Sequence, residues 1–98
     1  MNSGLGIVRI NDNCSGHECW PPRPSISGSP NVFVNNQRVE RYNDELEIHC
    51  CTEDKDDCHN GLHIGVRNVK ANNRSVQIRF DPIDCGSVCD ECSGNVMV

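Results

Sequence analysis

The chain has 98 residues, 36% of them hydrophobic, with eight cysteines and a formal charge of −5. That length fits one domain, but its 22 Leu, Ile, Val and Phe side chains make a core too thin to hold without a covalent or metal staple. Nine Lys and Arg against fourteen Asp and Glu argue against nucleic acid as a partner, and no apolar run is long enough to span a bilayer. Met1–Gly4 shows no basic region followed by an apolar run, so no standard secretory signal is expected, and synthesis in a reducing cytosol is.

Val and Ile number 17 against three Leu and one Ala, and twelve Asn and eight Gly supply turns at short intervals. β-Branched residues pack well on pleated surfaces, so the fold class is predicted to be all-β with short strands. In chain order, Ile7–Asp12 reads as a strand, and His17 follows Asp12 by five residues. Pro21–Pro24 reads as a rigid connector. Asn31–Asp44 reads as strand, Asn35-Asn36 turn and strand, because Asn tolerates the left-handed backbone of a two-residue hairpin. His49 follows Asp44 by five residues. Glu53–Asp57 reads as a solvated acidic loop; as a Ca²⁺ loop it lacks Gly and Glu at the required places. Asn68–Asp81 repeats Asn31–Asp44 with six identities in fourteen positions, and Cys85 follows Asp81 by four. Gly94–Val98 matches the first strand of a repeat.

Residues 1–98 therefore read as one domain of three repeats on a ring: about 28–49, 65–85, and a third split between 93–98 and 4–17. The two chain ends are predicted to pair as neighbouring strands. His17, His49 and Cys85 occupy corresponding places after the aspartates that close the repeats, so threefold-related loops would carry them toward one axis. His59 is the best-placed fourth donor; His63 is its rival but sits where the second repeat begins. Three His and one Cys suit a borderline-soft ion such as Zn²⁺ and not Ca²⁺ or Mg²⁺.

Ser15-Gly16-His17, Pro21–Pro24, Gly28–Asn35, Ile48-His49, His59–Gly61 and Asp81–Gly86 together resemble the PAAR-repeat proteins, the small tips of contractile injection machines. The resemblance implies a small all-β cone with one structural Zn²⁺ near its vertex, held by His17, His49, His59 and Cys85. It also implies a flat base seated on a trimeric β-helical spike, either the central spike of a T4-like phage tail or a VgrG-like shaft of type VI secretion. The chain would then be a monomer on a trimeric shaft, in a virion or secreted through the type VI machine, in transient contact with a host outer membrane. Two departures stand out: Gly65-Val66-Arg67-Asn68 where Gly-Ser is usual, and Asn35-Asn36 and Asn72-Asn73 where Asn-Gly is usual.

Val32, Val34, Val69, Ala71, Val96 and Val98 occupy equivalent places in the three first strands, and each suits either the shaft-binding base or the internal core. Cys89–Cys92 is a lone CxxC without a second pair, which fits neither a zinc ribbon nor a redox motif. Cys14, Cys19, Cys50, Cys51 and Cys58 are expected to be small buried thiols. The competing reading is a disulfide-rich extracellular binding module. Four ligands close a zinc shell and leave no open position for water, so an enzyme is the least supported class.

Overall fold

The protein is described by a computed structural model over residues 5–98; Gly4, the predicted start of the split repeat, and the rest of Met1–Gly4 lie outside the described residues. Six two-residue strands pair as three antiparallel two-stranded sheets, and no helix occurs among the described residues. β1 (Phe33–Val34) pairs with β2 (Gln37–Arg38), β3 (His49–Cys50) with β4 (Cys58–His59), and β5 (Lys70–Ala71) with β6 (Arg74–Ser75).

The β1–β2 and β5–β6 turns are built on left-handed asparagines: Asn35 and Asn36 at φ 54° and 64°, Asn72 and Asn73 at φ 55° and 64°. Two consecutive residues of this kind make the turn whose twist matches that of the flanking strands. Asn73→Val is therefore expected to cost about 1–2 kcal/mol in chemical denaturation, while Asn73→Gly is tolerated. Equal stability of the two variants would remove the left-handed requirement.

Beyond the hairpins, the strands join in cycles of three. Val8 N–H donates to Gln77 C=O at 2.9 Å, Glu40 N–H to Val8 C=O at 3.0 Å, and Gln77 N–H to Glu40 C=O at 3.1 Å. Single bridges Arg9↔Val39, Arg41↔Val76 and Ile7↔Ile78 repeat the cycle one residue away. Three turns follow, over 9–12, 41–44 and 78–81, each closed by the aspartate N–H on the carbonyl three residues earlier. The same aspartates, Asp12, Asp44 and Asp81, each accept the N–H of that earlier residue at 2.8 Å. Asn11, Asn43 and Phe80 supply the left-handed backbone before each aspartate, at φ 76°, 69° and 74°.

Arg9 and Arg41 reach their own aspartates at 2.9 Å. In the second repeat Ile78 stands at the corresponding place, and Arg67 substitutes with a two-pronged contact on Asp81 at 2.9 and 2.6 Å. Arg67 is part of the departure noted in the sequence, so the change in one segment offsets the change in the other. The chain ends pair: Ile7 N–H donates to Val96 C=O at 3.0 Å and Val98 N–H to Leu5 C=O at 3.2 Å.

Two small core clusters lie along this frame. The first joins Ile7, Val39, Ala71, Val76 and Ile78, with Val34, Val96 and Val98 packed against it. The second joins Val8, Cys14, Leu46, Ile83 and Cys89, with Cys85 and Cys92 against it. Each third of the chain runs from the first cluster through the second to one candidate ligand: Ile7, Val8, Cys14 and His17; Val39, Leu46 and His49; Val76, Ile83 and Cys85. Of the six residues proposed for a base, Val32 and Val69 are exposed, Val34, Val96 and Val98 are half-buried, and Ala71 is buried within the first cluster.

Candidate metal centre

Four donor atoms, one from each of His17, His49, His59 and Cys85, lie within 4.8 Å of one another. Each arrives for a local reason. His49 and His59 face each other across β3–β4. His17 opens a tight turn in which His17 N–H donates to Trp20 C=O at 2.9 Å and Trp20 N–H returns to His17 C=O at 2.8 Å. Cys85 rides a turn closed by Gly86 N–H on Ile83 C=O at 3.0 Å. Gly86 has φ 110°, a backbone that side chains other than glycine's rarely adopt, and its bare Cα faces the His17 ring.

His59 Nε2 lies 3.0 Å from His17 Nε2 and 2.8 Å from His49 Nε2, and Cys85 Sγ lies 4.0 Å from His49 Nε2. A neutral imidazole carries at most one proton on Nε2, so His59 Nε2 cannot donate a linear hydrogen bond to both His17 and His49, and one short contact is left without a proton. His49 Nδ1 lies 2.9 Å from Pro21 C=O, to which it donates, so the proton sits there and the Nε2 lone pair turns to the cluster. In a tetrahedral shell with metal–nitrogen bonds of about 2.0–2.1 Å, ligand nitrogens stand about 3.3 Å apart. The two spacings from His59 fall about 0.3–0.5 Å short of that, and three nitrogens with one sulfur form a donor set that could hold a metal ion.

The four ligands proposed from the sequence are thus brought together, and Cys85 is a free thiol. His63 is elsewhere. It is buried against Cys89 of the second cluster, with Ser25 Oγ 3.0 Å from its Nε2, Cys89 Sγ 3.3 Å from its Nδ1, and Glu40 Oε2 3.8 Å from its Nε2. Burial lowers the His63 pKa to about 4 and raises that of Glu40 to about 9, with the Asp44 charge adding to the Glu40 shift. Near neutral pH the contact therefore joins a carboxylic acid to an uncharged imidazole.

The cysteine expectation requires correction. Cys19 is bonded to Cys51 and Cys50 to Cys58, so four of the five cysteines expected as buried thiols are oxidised, and Cys58 is exposed. Only Cys14 of that group is a buried free thiol, beside the free Cys85, Cys89 and Cys92. The signal was the mirrored order His49-Cys50 and Cys58-His59: if the histidines pair across a hairpin, the adjoining cysteines must pair too. Trp20 was likewise passed over. Its ring stacks on His17 at 4.9 Å, and its Nε1 donates to Asp57 C=O at 2.9 Å.

Gly61 sets the approach of Cys85. A Cβ placed there would meet Ile83 Cγ2 at 2.6 Å and Cys85 Sγ at 2.9 Å. Gly61→Ala is therefore expected to displace Cys85 and weaken metal binding about tenfold, roughly 1.4 kcal/mol, by chelator competition. Unchanged affinity would show that Cys85 does not serve as a ligand. No protein-family model matches the chain, and no curated protein matches it.

Proposed function

We propose that the protein is the metal-stapled tip of a contractile injection machine, seated on a trimeric β-helical shaft. The observation that carries this reading is the cyclic bonding of Val8, Glu40 and Gln77, which gives one chain the threefold pattern of a trimeric partner. A monomer with three similar contact sets can meet such a shaft, whereas an unrelated surface would meet only one of its subunits well. The molecule is elongated, 42 × 25 × 22 Å, a shape compatible with a cap on a narrow shaft. The His17, His49, His59 and Cys85 set takes Zn²⁺ in preference to oxygen-seeking ions. Where the tip narrows, coordination supplies cohesion that a thin apolar core cannot. Such a tip needs stiffness and no turnover, since the piercing work comes from the machine. A phage central spike is the first reading and a type VI secretion spike the second.

The base would present Val32 and Val69 with the exposed Phe33 and Met97. Val32→Asp combined with Val69→Asp is expected to abolish co-purification with a trimeric shaft while leaving zinc content and melting unchanged. Shafts still capped by that variant would place the contact on another face. The two disulfides support a competing reading, a disulfide-stabilised extracellular binding module. Metal analysis separates the two: the tip holds one zinc per chain, the module none.

A further inference from the structure

We propose that the metal centre is gated by thiol–disulfide exchange at Cys50–Cys58. This inference rests on the metal-centre reading and adds a control to it. Cys50↔Cys58 is the strand rung directly beside His49↔His59, so the disulfide fixes the separation of two metal-binding histidines. Cys19–Cys51 ties the turn that carries His17 to the residue following β3. Three of the four donors thus stand within two residues of a half-cystine, and only Cys85 does not.

The two bridges differ in access. Cys58 is exposed and Cys50 half-buried, whereas Cys19 is half-buried and Cys51 is 5% exposed, so only the first bridge has an exposed half-cystine. An incoming dithiol therefore reaches Cys50–Cys58 first. Its thiolate attacks Cys58 Sγ, the S–S bond breaks, and Cys50 leaves as a thiolate that takes up a proton. The reagent's second thiol then displaces Cys58 from the mixed disulfide, leaving two protein thiols and one oxidised reagent, a two-electron exchange. Once open, β3–β4 has two rungs and a loop carrying Glu53, Asp54, Asp56 and Asp57 against a single Lys55. A hairpin that short is marginal in water, and the loop regains the freedom that the disulfide removed. His49 and His59 then separate, and metal binding must first bring them back. The centre is open where dithiols prevail and closed in an oxidising compartment.

The test uses the full chain and Zn²⁺ alone, with affinity read by chelator competition and Trp20 fluorescence. Three forms are compared: the oxidised protein, the same protein after brief dithiol treatment and removal of the reagent, and Cys50→Ser/Cys58→Ser. Alkylation mass spectrometry should show that the treatment exposes Cys50 and Cys58 before Cys19 and Cys51. The oxidised protein is expected to bind one zinc at least tenfold more tightly than the other two forms, and reoxidation should restore that affinity. The treated wild-type chain keeps the test decisive if the serine variant folds poorly. Equal affinity in the oxidised and treated proteins overturns the gate, as does opening of Cys19–Cys51 first. Zinc absent from the oxidised protein as well overturns the metal-centre reading itself.

Discussion

Replacing His49 with alanine is expected to abolish stoichiometric zinc and to lower the melting temperature by at least about 20 °C. His49 is fully buried, pairs with His59 across β3–β4, and has its Nδ1 engaged by Pro21, so no neighbouring side chain can take its place. Structural zinc contributes an apparent ~10–16 kcal/mol in small peptides, against a net stability of about 5–15 kcal/mol for a whole domain. Loss of even about 5 kcal/mol corresponds to some 20–40 °C in a chain of this size. Calorimetry of the wild type, the chelator-stripped wild type and His49→Ala provides the check. The stripped protein and the variant should coincide, well below the zinc-loaded form. If all three melt together, the fold does not depend on metal.

The second large effect comes from Glu40. It is 0% exposed, and neither carboxyl oxygen has a close hydrogen-bond partner among the described residues, although the Ser25 hydroxyl is near enough to temper its pKa. Burial first, and the Asp44 charge second, raise its pKa from 4.5 to about 9, with Ser25, Arg41 and Arg74 opposing. The folded state thus keeps a proton that the unfolded state releases above pH 4.5. The stability this represents is present below that pH and declines as pH rises toward 9. His63 runs the other way: its folded pKa of about 4 lies below 6.5, so its contribution is present above pH 6.5 and is lost toward pH 4.

Glu40→Gln keeps the side chain's shape and removes only the first effect. Its stability advantage over wild type should grow by up to about 1.4 kcal/mol per pH unit between pH 5 and 9. The decline toward pH 4 should remain in both proteins. Parallel stability profiles across that range would mean that Glu40 is already ionised in the fold. Gln77, which stands at the corresponding place in the cycle, shows that the position accepts an amide: its side chain bonds Gly65 N–H and C=O at 2.8 and 2.9 Å.

Much of the site was legible because its determinants are local. The spacings from Asp12 to His17 and from Asp44 to His49 carry the register of turns that the aspartates close on backbone N–H groups. The left-handed Asn pairs announce the β1–β2 and β5–β6 hairpins in the residues themselves. His59 over His63 was also readable, since His63 sits where the second repeat begins and so belongs to another part of the frame. The disulfides were missed because compartment was weighed above adjacency, although Cys50 and Cys58 flank the paired histidines. Glu40 was missed for a different reason. A carboxylate among apolar residues carries no pattern of its own, and its burial follows only from closing the three segments into a cycle with Val8 and Gln77. Ala71 shows the same limit: whether a strand residue faces core or partner depends on the twist of its hairpin.

X-ray absorption at the zinc edge on the oxidised, purified chain tests the donor set most directly. A metal held by His17, His49, His59 and Cys85 gives three nitrogens at about 2.0–2.1 Å and one sulfur at about 2.3 Å, at one zinc per chain. A shell without sulfur, a shell of several sulfurs, or a chain that retains no zinc would contradict the centre assigned here.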